Sequence, residues 1–317
     1  MLGFAPGTFC WRGETEMKNL LTIAGSDCSG GAGIQADLKT FAAHGTFGMS
    51  VVVSVVAENT SRVISIRDMD PDIIKDQLDA VFEDIRVDGV KVGMLSNIGA
   101  MKAVAEKLRQ YGPPHPVIDP VMVAKGGCAL MQDDALDTLI REIIPMAYVL
   151  TPNIPEAETI TGRKITDMGE MKWAAASIYG MGAKNVLVKG GHLSGDAEDI
   201  LYDGKRFHRY RSKRVRTKNT HGTGCTFSSA IAANLANGME IEDAVRSAKE
   251  YITMAIEHAL PVGKGYGPTN HFYRFFRDEK SPGPAGDRGS RDVVTVQEDI
   301  AGVSGEWIEL LRRNEHA

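Results

Sequence analysis

Cysteine is scarce: Cys10, Cys28, Cys128 and Cys225 are scattered along 317 residues, without the paired spacing of a metal site. The N-terminal segment lacks the charged and apolar regions of a secretory signal, so the few cysteines point to a reducing cytoplasm rather than a disulfide framework. No apolar run approaches the roughly 20 residues that span a bilayer, and no membrane association is expected. Excess charge is missing as well. A net charge of −5 leaves no basic footprint, which excludes nucleic acid as an expected partner. Two nucleotide-binding signatures are also absent. No glycine loop ends in Gly-Lys-Ser/Thr, and the cluster SGGAG at 29–33 has the wrong spacing for a dinucleotide fingerprint.

Apolar content and length suit one large α/β unit with a substantial core. Short β-rich runs (LLTIAG, MSVVVSVVA, GVKVGML, PVIDPV, AYVLTPN, NVLVKGG) alternate with segments of helical periodicity such as NIGAMKAVAEKLRQYG and GEMKWAAASIYGMG. This alternation predicts a mainly parallel sheet covered by helices on both faces, with the stripe in MKAVAEKLRQY serving as core. EDILYDGKRFHRY, turning at Asp203-Gly204, reads as a hairpin at one sheet edge. The domain is expected to run over 17–277, with Met17 a candidate start. Residues 1–16 form an extension expected to be disordered. Residues 278–317 form a Pro/Gly/charge-rich linker and a tail with a short strand and a helical turn, outside the packed core.

In open α/β sheets ligands bind beyond the carboxyl ends of the strands. Polar and glycine-rich segments follow the predicted strands one after another: AGSDCSGGAGIQADL, ENT, GML, DPVMVAKGG, TPNIPEAE and KGGH. A further one, KNTHGTGCTFSSA at 218–230, sets Gly222-Thr223-Gly224 before a helix ending near Gly238. Glycines there expose consecutive backbone amides, and the helix N-terminus adds its positive dipole end. The combination predicts an anion hole for a transferring phosphoryl group; a glycine-lubricated helix start is the plainer alternative.

Taken together, TIAGSDCSGGAGIQADLKTF, KVGML, IDPVMVAKGG, TPNIPEAE, VLVKGGH, TKNTHGTGCTFSSA and GPTNHF resemble the hydroxymethylpyrimidine/phosphomethylpyrimidine kinases of thiamine biosynthesis, in the ribokinase superfamily. The likeness runs from Leu20 to Phe275. It implies a three-layer α/β/α sandwich, ribokinase-like, assembled as a homodimer. It also implies two ATP-dependent phosphorylations, of 4-amino-5-hydroxymethyl-2-methylpyrimidine and then of its monophosphate, with Mg²⁺. The backbone of Gly222, Thr223, Gly224 and Cys225 would hold the transferred phosphoryl group, with Cys225 where many relatives in the superfamily carry an aspartate base. Its thiol is drawn down by a helix N-terminus and pushed up by bound phosphates, a balance the residues alone leave open. Asn153 and Glu156 match a motif that places Mg²⁺ through water, and Lys189 matches a lysine near the nucleotide phosphates. Asp119 and Lys125 flank the same rim.

The resemblance further implies an acceptor pocket of Gly25, Ala32, Asp37, Met94, Val121 and Glu58. Glu58 stands where many relatives have glutamine. As a carboxylate it accepts from the exocyclic amine and favours protonation of the neighbouring ring nitrogen. Plainer readings stand beside these. Asn153 and Glu156 suit a helix start, Asp119 a turn before Pro120, and Glu58 a solvent-facing cap; His192 and His221 are read as packing or hydrogen-bonding residues. A pyridoxal kinase is the rival enzyme, and a non-catalytic nucleotide-binding regulator the rival from another class.

Overall fold

The protein is described here from a computed structural model covering residues 16–191, 195–276 and 293–298. In chain order the elements are β1 (Asn19–Gly25), α1 (Gly33–Ala43), β2 (Phe47–Glu58), β3 (Val63–Asp68), α2 (Pro71–Phe82), β4 (Gly89–Val92), α3 (Ile98–Tyr111) and β5 (Val117–Ile118). An irregular helical segment, 133–146, contains α4 (Leu136–Thr138). Then come β6 (Val149–Leu150), α5 (Ile154–Thr161), α6 (Met168–Tyr179), β7 (Val186–Lys189), β8 (Ala197–Tyr202), β9 (Phe207–Ser212), α7 (Thr223–Ala236), α8 (Ile241–Glu257) and β10 (Val294–Glu298).

The strands form one sheet in the order β10-β9-β8-β7-β6-β5-β4-β1-β2-β3. Pairing is parallel from β2 through β1, β4, β5 and β6 to β7, and antiparallel outside that block. Successive strand residues point to opposite faces, so Leu20, Val117, Val149 and Leu187 pack against α1, α7 and α8, while Leu21, Ile118, Leu150 and Val188 pack against α2, α3, α5 and α6. This is the three-layer α/β sandwich expected from the alternation. The stripe on α3 is core, with Met101, Val104 and Leu108 buried.

Local chemistry sets the helix ends. The Asn97 side chain accepts from the Ala100 amide at 2.9 Å to start α3, and Gly112 ends it at φ 54°. Asp167 does the same for α6, accepting from the Glu170 amide at 2.8 Å. At the start of α7 the N-cap is Gly222, with no side-chain cap, so no side chain occupies its first-turn amides.

Three expectations change. β3, an antiparallel partner of β2, was not legible, because its burial is too slight for a strong apolar pattern. The β8–β9 hairpin forms as expected, but it is not the edge. β10, from the tail, pairs antiparallel with β9 and takes the edge itself. The tail is therefore not wholly outside the core: Val293 is buried, and Arg246 of α8 donates to Thr295 Oγ1 at 3.1 Å. The other tail residues, residues 1–15 and His192 lie outside the described residues.

Candidate active site

Parallel strands end on one rim, and at β1 the connections diverge. The chain passes through α1 to β2 on one side, while β4 to β7 build the other. That divergence opens a crevice at the carboxyl ends of the strands. Gly25 ends β1, Glu58 ends β2, Met94 follows β4, and Asp119 and Val121 follow β5. Asn153 and Glu156 follow β6, Lys189 ends β7, and the turn 220–225 enters α7 from above. Two surface hollows, one at Lys102, Glu106 and Glu142 and one at Leu108, His115, Tyr148 and Lys184, lie away from this rim and gather no comparable set of groups.

Close packing explains the glycines. Gly222 has φ 74°, and a Cβ there would come 1.7 Å from the carbonyl oxygen of Gly31, so the anion turn rests directly on the β1–α1 loop. A Cβ on Gly224 would meet Asp119 Oδ2 at 3.3 Å and Lys189 Nζ at 3.4 Å. The bare Gly224 thus leaves room above a buried ion pair, in which Lys189 Nζ donates to Asp119 Oδ1 at 2.7 Å. Thr151 Oγ1 donates to the same oxygen at 3.1 Å. Burial works against the Lys189 charge, but Asp119 and Glu156 more than offset it and raise its pKa. An ammonium group, a helix N-terminus and a turn left bare at Gly222 and Gly224 therefore face one space, which fits the phosphates of a nucleotide. Thr223 is used otherwise: its hydroxyl donates to the Thr220 carbonyl at 2.8 Å and shapes the turn.

Asn153 and Glu156 form a reciprocal capping box. Asn153 Oδ1 accepts from the Glu156 amide at 2.9 Å, and Glu156 Oε2 accepts from the Asn153 amide at 2.8 Å. The plainer reading of this pair as a helix start is thus correct as far as it goes. Burial pushes the Glu156 carboxyl up to about 7, with Asp119 adding to the effect and Lys189 and the Asn153 and Met122 amides opposing it. Both residues spend an oxygen on the cap, so the donor set fits Mg²⁺ held through its own waters better than one stripped to protein ligands.

Cys225 sits in the first turn of α7. Low-dielectric surroundings push its thiol up to about 11; Lys91 and the Gly33 amide oppose this, and Asp37 and Asp119 add to it. Burial therefore outweighs Lys91 and the Gly33 amide, and the side chain is held as a neutral thiol. Beneath it lies a second buried pair. Lys91 Nζ donates to Asp37 Oδ2 at 2.9 Å with both side chains fully buried, Thr22 Oγ1 donates to the same carboxylate at 2.6 Å, and Ser229 Oγ donates at 2.7 Å. Ser229 is one helical turn from Cys225 on α7. Asp37, expected to line the acceptor pocket, is buried beneath it, where its carboxylate holds Lys91 charged under the turn. Lys91 was not singled out from sequence, although a lysine inside the apolar run GVKVGML was the available signal.

The acceptor side is built on Asp27. Its carboxylate accepts from the amides of Ser29 (2.7 Å), Gly31 (2.9 Å) and Ala32 (2.7 Å) and from His221 Nε2 (2.8 Å). Burial would raise its pKa, but His221 and these donors hold it well below the carboxylate range. His221 is thus a hydrogen-bonding residue, as expected. Glu58 stands beside both, its carboxylate within 4.8 Å of the Asp27 and His221 ligand atoms. Burial and the Asp27 charge push Glu58 up to about 7, against the pull of His221. Glu58 therefore carries a proton through much of the neutral range and presents a donor as well as an acceptor, where the sequence suggested an acceptor only. Gly25 and Met94 adjoin, a Cβ on the glycine falling 3.1 Å from the methionine sulfur. Ala32 caps α1 at the same mouth, and the Val121 amide donates to the Asp119 carbonyl at 2.8 Å. Lys125 lies farther along the rim, its ammonium 5.7 Å from the Tyr266 ring centroid.

The phosphomethylpyrimidine kinase family model matches residues 27–270. The thiamine biosynthesis bifunctional protein ThiED of Geobacter sulfurreducens is 53% identical over 254 residues, covering 80% of this chain and 52% of that protein, so the chain spans about half its length. The hydroxymethylpyrimidine/phosphomethylpyrimidine kinase of Bacillus subtilis is 46% identical over 254 residues, covering 80% of this chain and 94% of that one. Among solved structures, the phosphomethylpyrimidine kinase of Clostridium difficile 630 is 49% identical with TM-score 0.68, covering 75% of this chain and 99% of that one. An ADP complex of Bacillus subtilis pyridoxal kinase is 38% identical with TM-score 0.78, covering 83% and 100%.

Proposed function

The chain belongs to the phosphomethylpyrimidine kinase family, and on that footing we propose that it phosphorylates 4-amino-5-hydroxymethyl-2-methylpyrimidine and then its monophosphate, using ATP. The observation that carries this reading is the convergence on one rim of two unlike half-sites. One is a turn left bare at Gly224 above the Asp119–Lys189 pair; the other is the Glu58 edge beside Asp27. The first suits a transferring phosphoryl group. A protonated Glu58 complements an aminopyrimidine, its carbonyl accepting from the exocyclic amine and its hydroxyl donating to the ring nitrogen.

In this reading the amides of Gly222 to Cys225 and the Lys189 ammonium bind the charge on the γ-phosphoryl oxygens, and the chemistry is positioning plus neutralisation. Mg²⁺, held through water by Glu156 and Asn153, would supply further charge neutralisation when bound. Gly25, Ala32, Met94 and Val121 shape the acceptor's walls. Cys225 faces the attacking oxygen, where the hydroxymethyl acceptor has a proton to lose and the monophosphate does not. The kinase unit runs over 17–277 with β10 as an added strand. A homodimer in the cytoplasm, taken from the family resemblance, belongs to the same proposal; among the described residues no helix is long and apolar enough to cross a membrane.

Pyridoxal phosphorylation is the second reading, favoured by the fuller structural match to a pyridoxal kinase. ATP consumption measured with the bare pyrimidine, its monophosphate and pyridoxal decides between them. Turnover of both pyrimidines is expected. Turnover of pyridoxal alone would sink the first reading, and turnover of none would leave a nucleotide-binding protein.

A further inference from the structure

The contact between Asp27 and His221 joins the two half-sites, and neither residue has a chemical role in the reading above. Asp27 organises the β1–α1 loop by accepting from three of its amides, and its remaining bond comes from His221, the residue before the anion turn. Two glycines allow the closeness: a Cβ on Gly31 would lie 2.4 Å from His221 Cδ2, and one on Gly222 would lie 1.7 Å from the Gly31 carbonyl oxygen. On its other side His221 is pinned by its backbone, its amide donating to the Gly267 carbonyl at 3.0 Å and its carbonyl accepting from the Thr269 amide at 3.4 Å. The imidazole and these backbone bonds together set the position from which the chain enters Gly222.

Asp27, Glu58 and His221 bring their ligand atoms within 4.8 Å of one another, a cluster compact enough for a cation. Its bonding argues otherwise. Gly31, Ala32 and His221 already crowd Asp27 Oδ2, Ser29 takes a position on Oδ1, and His221 Nε2 must itself donate to a carboxylate held ionised. Glu58 is the unsatisfied member. When ionised it repels Asp27 and competes for His221; when its charge is removed that competition ends.

We propose that the Asp27–His221 contact couples the two half-sites, so that an acceptor neutralising Glu58 leaves His221 on Asp27, fixes Gly222, and tightens the anion turn on the nucleotide phosphates. This rests on the reading of Glu58 as the acceptor's recognition edge. By linkage the effect is reciprocal: nucleotide tightens acceptor binding by the same factor. His221 is then a positioning residue, acting through the turn it carries.

Calorimetric titration with the non-hydrolysable analogue AMP-PCP at about pH 8, with and without saturating 4-amino-5-hydroxymethyl-2-methylpyrimidine, reads the coupling directly. In the wild type the analogue should bind about tenfold tighter with the acceptor present, within the usual range of such couplings. His221→Leu should reduce that factor to within about twofold of unity, whereas His221→Gln, which retains a donor for Asp27, should keep most of it. Glu58→Gln, safe for the fold, should bind the analogue without acceptor nearly as tightly as the wild type does with it. A wild type that binds both ligands independently overturns the coupling alone, as does a folded His221→Leu that keeps the full factor or a Glu58→Gln no tighter than the unliganded wild type. A wild type that neither binds nor phosphorylates the pyrimidine overturns the functional reading, and the coupling with it.

Discussion

Gly222 and Gly31 touch backbone to backbone: a Cβ on the first would sit 1.7 Å from the carbonyl oxygen of the second. Gly222 is also left-handed at φ 74°, so two separate penalties protect it. Gly238, at φ 89° with nothing within 4 Å, carries only the conformational one. Gly238→Ala should therefore cost about 1 kcal/mol in chemical denaturation with turnover unchanged. Gly222→Ala should cost several-fold more and abolish turnover, because Gly31 and the anion turn cannot both stay in place. Equal losses for the two variants would show that the contact is dispensable.

Glu58 sets a pH window. Its folded pKa of about 7 lies above the unfolded value of 4.5. The folded state thus binds the proton more tightly between those values, so the stability contribution is present below about 4.5 and lost as pH rises through about 7. Over the same rise the side chain loses the hydroxyl that donates to the ring nitrogen. The acceptor KM should climb above about pH 7 in the wild type and stay flat in Glu58→Gln, whose thermal midpoint should also gain on the wild type at about pH 8. Parallel pH profiles would remove Glu58 from the pocket.

Cys225 can take a proton only as thiolate, and its thiol is pushed up to about 11. Phosphorylation of the hydroxymethyl group should therefore accelerate by up to about tenfold per pH unit between about pH 7 and 9, while phosphorylation of the monophosphate, already ionised, stays level. Cys225→Ala should slow the first step by about a hundredfold and the second by much less, and Cys225→Asp should recover part of the first. Small, equal effects on both steps would mean that only the backbone amide matters.

The tail strand is a stability element. A chain ending at residue 277 loses the β10–β9 pairing and uncovers the surface that Val293 packs against. It should keep its turnover with a thermal midpoint a few degrees lower, on the scale of about 2–4 °C per kcal/mol for a chain this size. An unchanged midpoint, or lost turnover, would contradict this assignment.

Lys91 and Asp37 should be separable only together. Lys91→Met leaves a fully buried carboxylate unpaired and should destabilise by about 3–5 kcal/mol, whereas adding Asp37→Asn should recover much of the loss. Urea midpoints of the single and double variants measure it, and no recovery would show that the lysine's role is packing alone.

The parallel block, the two-sided helical cover and the gathering of polar and glycine-rich segments on one rim were determined by the sequence itself. Apolar runs such as LLTIAG and NVLVKGG can bury residues of alternating direction only between two helical layers, and glycine-rich turns at strand ends have few other uses. Gly222-Thr223-Gly224 before a side-chain-uncapped helix was legible for the same local reason. What the tertiary structure alone decided depends on groups far apart in the chain. Asp119 meets Lys189 across 70 positions, Ser229 meets Asp37 across 192, and His221 meets Asp27 across 194. The enclosure of Asp37 by Thr22, Lys91 and Ser229 and the pairing of the tail with β9 could be seen only in the assembled fold. Propensity and periodicity are local quantities, whereas burial, charge pairing and the pKa of a thiol are fixed by whatever the fold brings alongside.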